Sequence, residues 1–224
     1  MPLLPSATAP GVAASAMIVT IDGPAAAGKG TLARRLAHHL GLAYLDSGKL
    51  YRAVGLKLLR QGLDPADAGA AARIAWTVGI GDLDEPGLDD EAVAQAATIV
   101  AAYPKVREAL LLVQRDFAAN PPENRPGAVI DGRDIGTVVC PDADHKFFVT
   151  ASLEIRAARR LNELLERGVE SIHSRVLRDM KARDDRDSGR QTSPLAPAGD
   201  AHLLDTTGLD PDEAFAAALA LIER

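Results

Sequence analysis

At 224 residues, 47% of them hydrophobic, the chain can bury one sizeable core. A net charge of −6 excludes a generalised binder of nucleic acid or membrane surface, because phosphate and anionic lipid call for an excess of Lys and Arg. A single cysteine, Cys140, excludes an intramolecular disulfide and reads as a small packed residue near a strand end.

Residues 1–16, MPLLPSATAPGVAASA, are apolar and end in small residues, yet they lack a basic start and are broken by Pro5 and Pro10. They read as a flexible tail before Met17 rather than a signal peptide. No later run approaches the ~18 apolar residues of a membrane span, so the expected location is the cytoplasm, with no membrane partner.

Beyond Met17, short apolar runs alternate with amphipathic helical stretches. Ile18 to Ile21 is strand-like, Leu32, Leu36 and Leu40 recur at helical spacing, and Ala43 to Leu45 is a second strand. Ala128 to Ile130, Lys146 to Thr150 and His202 to Leu204 complete five strands, each ending at a polar or turn residue. The pattern predicts an α/β fold: a five-stranded parallel sheet flanked by helices, with its binding crevice at the carboxyl ends of the strands.

The expected domain at 17–224 divides into a core (17–48, 120–182 and 200–224), a mainly helical insertion (49–119) broken by GIGDLDEPGLDD, and a short flexible lid (183–199). The lid is charged and then rich in Pro, Gly and Ser, which suits a mobile flap. Asp210, Pro211 and Glu213 form a start signal for the last helix.

The stretch from Gly23 through Pro24, Ala25, Ala26 and Ala27 to Gly28, Lys29, Gly30 and Thr31 has the Gly-x4-Gly-Lys spacing of a phosphate-binding loop between a strand and a helix. Backbone N–H groups and the positive end of the helix dipole would hold phosphate there, and Lys29 would reach the terminal phosphates of ATP. Where the general pattern puts a hydroxyl directly after the lysine, Gly30 intervenes and the hydroxyl arrives at Thr31, a variant associated with nucleoside monophosphate kinases. The same letters satisfy G-x-G-x-x-A of a dinucleotide-binding turn, with Asp46 beyond, but six residues separate Ile21 from Gly28 and that reading gives Gly23 and Lys29 no role.

A second anion site is suggested by YLDSGKLYR, with Ser47 at a strand-to-helix junction and Arg52 about a turn into the helix. VIDGRDIGTVV supplies Asp131, Arg133 and Asp134, and RDDRDSGR supplies Arg183, Asp187 and Arg190. Asp131, closing an apolar strand, is placed like a carboxylate that holds Mg2+ or its waters, with Thr31 assisting. Arg156, Arg159 and Arg160, with Glu154 and Glu163 on one helix, have the spacing of a solvated face. Trp76 and Tyr103 read as packing residues, and His38 and His39 as exposed.

Together with VREAL (106–110) and TASLEIRAARR (150–160), these segments resemble bacterial cytidylate kinase from Met17 to the C-terminus. The resemblance implies Mg2+-dependent phosphoryl transfer from ATP to CMP or dCMP, with no nucleic-acid partner, in an enzyme expected to be a monomer. It implies that Ser47, Arg52, Arg133, Arg183 and Arg190 surround the acceptor phosphate. Thr98, Arg107 and Asp134 would face the cytosine, Asp187 the sugar, and Arg159 the ATP site, whereas Arg156 is left outside it. A carboxylate at Asp134 would accept the exocyclic amine of cytosine and repel the carbonyl of uracil.

The sequence also departs from the family. Ala25 and Ala26 stand where Ser-Gly is usual, and the small antiparallel sheet of the insertion is cut down to TVGIGDLDEPG. Leu88-Asp89-Asp90 replaces an Ile-Arg-Thr segment, and Thr98 replaces serine. A kinase for UMP or another small phosphate acceptor, such as AMP, and, more remotely, an ATP-binding regulatory protein are the competing functions; a regulator would need no second phosphate site.

Overall fold

The computed structural model describes residues 16–190 and 193–223; the expected tail, except Ala16, and two residues of the expected lid lie outside the described residues. Five parallel strands, β1 (Met17–Asp22), β2 (Ala43–Asp46), β3 (Gly127–Gly132), β4 (His145–Thr150) and β5 (His202–Asp205), form one sheet in the order β2-β3-β1-β4-β5. From β1 the chain crosses over β3 to reach β2, and later steps the other way to β4 and β5. The phosphate loop therefore leaves β1 near the point where the strand order reverses, where α/β sheets open a crevice for ligands.

Helices cover both faces, so the central strands are apolar throughout rather than alternating. All six residues of β3 are buried. Its side chains nonetheless sort with period two: Ala128 and Ile130 join the core under α2 (Ser47–Arg60) and α5 (Pro104–Ala119), while Val129 joins the one under α1 (Lys29–Leu40) and α8 (Pro211–Ile222). Leu50, Val54 and Leu58 at helical spacing turn the apolar stripe of α2 onto the first core, and Leu32 and Leu36 do the same for α1 on the second.

The expected division of the chain changes in two places. The insertion is not a separate lobe, because α2 and α5 share one continuous core with Leu45 and Ile130 of the sheet. The same core takes in residues of α3 (Ala68–Ala75), of a 3-10 turn at Ile80–Asp84 and of α4 (Glu91–Val100), and no strand forms between α2 and β3. The lid is also less irregular than its composition suggests. After α6 (Leu153–Glu166), helix α7 runs from His173 to Ser188, so the first residues of the lid are helical. Helices α6 and α7 close on a small cluster of Ala157, Val176 and Met180.

Most local features follow the sequence. Asp46 accepts a hydrogen bond from the Gly48 N–H and caps α2, Cys140 is partly buried beyond β3, and His38 and His39 are exposed. Trp76, expected to pack, is 58% exposed. Among the described residues no helix is long and apolar enough to cross a membrane.

Helix α8 begins with a reciprocal cap: the Asp210 carboxylate accepts from the N–H groups of Asp212 and Glu213, and Glu213 accepts from the Asp210 N–H. Asp210→Ala is expected to cost about 1 kcal/mol in urea unfolding.

Candidate active site

Three strands end in carboxylates at the crevice: Asp22 on β1, Asp46 on β2 and, near the end of β3, Asp131, which sits opposite Asp46 in the register. Each has a different task. Asp22 is buried and accepts the N–H groups of Ile135 (2.8 Å) and Gly136 (2.7 Å), which fixes the turn after Arg133 and Asp134. Burial pushes its carboxyl up to about 6 despite those two donors. Asp46 caps α2. Asp131 Oδ1 is buried with no protein partner, and burial together with neighbouring Asp46 pushes that carboxyl up to about 7.

The phosphate loop requires its first glycine sterically. Gly23 has φ +143°, and a Cβ there would lie 1.9 Å from the carbonyl oxygen of Val149 on the adjacent strand. At the other end of the loop, Lys29 is buried and its Nζ donates to Pro24 O at 2.8 Å. Burial, with the nearby Arg133 charge, pushes the ammonium down to about 7, so the loop holds a lysine whose charge has no full counterpart until an anion arrives.

Beside the loop lies a cavity of about 280 Å³. Ala25, Ala26, Lys29 and Gly30 line it on the loop side; Ser47, Arg52, Thr98 and Arg107 line it on the side of α2, α4 and α5. Asp131, Arg133 and Asp134 form its floor, and Arg183, Asp187 and Arg190 come from α7 and the residue pair after it. Segments more than 100 residues apart in sequence thus converge on one space.

The charges in this space are organised in pairs. Asp187, 3% exposed, collects three guanidinium groups: Arg133 Nε at 3.1 Å, Arg183 Nε at 4.0 Å, and Arg190 in direct hydrogen-bond contact. Burial works against its ionisation, but Arg133, Arg190 and Arg183 hold its carboxyl below the ordinary carboxylate range. Arg107 donates to Asp134, and its guanidinium carbon lies 5.8 Å from the centre of the Tyr51 ring. Arg52 donates to the carbonyl of Leu88 at 2.9 Å.

Six expected site residues lie outside the cavity lining. Gly23, Pro24, Ala27 and Gly28 belong to the rest of the loop. Thr31 is exposed: α1 begins at Lys29, and two residues at ~100° each turn its side chain away from the face that presents the lysine. Arg159 donates to Thr206 Oγ1 (3.0 Å) and to Thr206 O (2.7 Å), so it fastens the loop after β5 rather than facing the cavity. Sequence reasoning missed Asp22, which carried no motif signal, and Tyr51, whose aromatic ring was quoted but given no contact.

The cytidylate kinase family model matches residues 19–224. The chain belongs to the cytidylate kinase family. It is 60% identical over 205 residues to a cytidylate kinase of Paramagnetospirillum magneticum, covering 92% of this chain and 97% of that one. A cytidylate kinase of Rhodospirillum rubrum is 55% identical over 206 residues, with the same coverage. Among solved structures, an uncharacterized protein from Eubacterium ventriosum shares the fold alone, at TM-score 0.53 and 15% identity over 92% of this chain and 98% of that one.

Within that family the departures acquire physical meaning. Ala26 adopts φ +57°, a left-handed conformation that costs an L-residue roughly 1–2 kcal/mol and glycine almost nothing. In exchange, Ala25 and Ala26 pack against the apolar cluster of α6 and α7. The divergent Leu88-Asp89 segment is also in contact with the site, since Leu88 O accepts from Arg52 and Asp89 lies 3.8 Å from it.

Asp187→Ala should leave three guanidinium groups crowded in a half-buried space, a loss of about 3 kcal/mol in urea unfolding. Added sulfate or phosphate is expected to restore part of that stability in the variant and to do less for the parent, where the carboxylate already occupies the cluster.

Proposed function

We propose that this chain transfers the γ-phosphoryl group of ATP to CMP or dCMP, giving ADP and CDP or dCDP. The observation that carries this reading is that the Lys29 loop and a set of arginines, Arg133 just after β3 with Arg183 in α7 and Arg190 just beyond it, line one cavity, each suited to hold phosphate. A regulator that senses ATP needs only the first. In-line phosphoryl transfer needs both, with the reacting groups held close and their charge neutralised, and it needs no protein nucleophile.

In this reading the N–H groups of Gly23 to Thr31 hold the ATP phosphates, with Lys29 leaving Pro24 O for the anion and becoming fully charged as it does so. Ser47, Arg52, Arg133, Arg183 and Arg190 take the acceptor phosphate. Its arrival gives Arg133 and Arg190 a better-charged partner than Asp187, releasing that carboxylate to accept a sugar hydroxyl. Arg159, by holding the carbonyls of Thr206 and Leu209, shapes the edge where the adenine would sit.

The residues also fit a divalent cation. Asp131 Oδ1 is buried without a partner. Asp131 would hold Mg2+ or its waters; the exposed Thr31 is less well placed for that role. When bound, the ion neutralises charge on the ATP phosphates. The protein's part is to align the two substrates and exclude water as α7 closes over them.

For the base, Arg107 on one oxygen of Asp134 fixes the carboxylate, and the other oxygen can accept the exocyclic amine of cytosine. Uracil presents a carbonyl there and is repelled. Cytoplasmic ATP and CMP support a cytoplasmic location, and the lining of the cavity by one chain supports a monomer.

An assay coupling ADP release to each nucleoside monophosphate is expected to give CMP and dCMP far ahead of AMP and GMP, with UMP poorer than CMP. Asp134→Asn should narrow the CMP-to-UMP ratio of kcat/KM by about tenfold or more; an unchanged ratio would remove Asp134 from base selection. Lys29→Ala should fold normally and lose about 10²–10³-fold in kcat.

A further inference from the structure

Arg156 has the helical spacing of a solvated residue and is 6% exposed. Its guanidinium makes contacts in three directions. Nε donates to Ala151 O (2.9 Å), Nη1 to Ala25 O in the phosphate loop (3.4 Å), and Nη2 pairs with Asp184 Oδ2 on α7 (2.7 Å). One buried side chain therefore joins the donor loop to the helix that carries Arg183 and Asp187.

We propose that Arg156 is a positioning residue that orients the Ala25–Ala26 peptide of the phosphate loop and locks that loop in register with α7. The carbonyl and N–H of a trans peptide point in opposite directions. With Ala25 O drawn to Arg156, the N–H of Ala26 is turned to the opposite side of the peptide plane, away from α6. Ala25 and Ala26 line the cavity, so this is the side on which an N–H can meet phosphate. Ala26 holds its left-handed φ of +57° in that arrangement, and the contact with Arg156 is one that opposes relaxation of the strain.

Stability alone is a poor reason for this arginine. The next residue, Ala157, belongs with Val176 and Met180 to the apolar cluster between α6 and α7, and the Arg156 side chain is itself buried. Asp184 Oδ1 is buried without a partner, so the ion pair is only partly satisfied. Replacing such a pair with apolar residues of similar volume is commonly neutral or stabilising. What the apolar version would lose is the donor to Ala25 O and the polar link to α7.

The test is the double variant Arg156→Met with Asp184→Leu, compared with Arg156→Lys, which keeps the charge and loses the planar fork. The readouts are urea unfolding, calorimetric titration of ATP alone and of CMP alone, and kcat. The double variant is expected to unfold at or above the parent's urea midpoint, to bind ATP about tenfold or more weakly, to bind CMP within about twofold, and to lose kcat by about tenfold. Arg156→Lys is expected to fold as the parent does and to show the same selective loss for ATP.

Parent-like ATP affinity in either variant overturns the proposal. So does an equal loss of ATP and CMP affinity, which would mark a general disturbance of the fold. Because ATP is titrated without an acceptor, the outcome is independent of which nucleotide the acceptor side prefers.

Discussion

A protein of net charge −6 that concentrates Lys29, Arg52, Arg107, Arg133, Arg183 and Arg190 around one cavity must keep those cations from expelling one another before substrate arrives. The structure meets this constraint with internal carboxylates. Asp187 holds three of the guanidinium groups and Asp134 holds Arg107. In a partly desolvated site these pairs are stronger than on the surface, and they also set where each cation waits. In the proposed reaction the acceptor phosphate takes over guanidinium groups from Asp187, and that carboxylate is freed for a sugar hydroxyl.

The sheet makes the exchange possible by where its strands end. Parallel register puts Asp46 beside Asp131 and Asp22 beside Gly132, so three carboxylates reach the crevice on adjacent strands, and each is spent differently. Asp22 binds backbone N–H groups and shapes the turn that aims Arg133 and Asp134. Asp46 starts α2, which carries Arg52. Asp131 remains without a protein partner. A fold of this kind positions catalytic groups on rigid strand ends and leaves to helices the parts that must move.

Much of this was legible in the sequence. Each of the five strands contains its expected run, the central ones because doubly covered strands read as short apolar segments bounded by turn residues; the phosphate loop was legible because Gly23 is demanded by backbone contact and Gly28 by its left-handed φ of +91°. The lid was read less well. RDDRD has no apolar stripe, yet α7 is helical through it, with Val176 and Met180 buried upstream and the pairs Arg175–Asp179 and Arg183–Asp187 at i,i+4 spacing. Arg156 was misjudged for a related reason: helical spacing tells which residues share a face and cannot say that a second helix will cover it. Thr31 turned outward because α1 begins two residues earlier, at Lys29. Trp76 was expected to pack, but at the C-terminal end of α3 it is left 58% exposed.

The central claim is that both phosphate chains lie in one cavity, with guanidinium groups transferred from Asp187 to the acceptor. A crystal structure of the protein with Mg2+ and an analogue joining adenosine to cytidine through five phosphates tests it most directly. The account predicts adenosine-side phosphates on the N–H groups of Gly23 to Thr31, cytosine against Asp134, and Arg133 and Arg190 moved from Asp187 to the cytidine-side phosphate. An analogue bound with those two arginines still on Asp187, or with its pyrimidine outside the cavity, would contradict it.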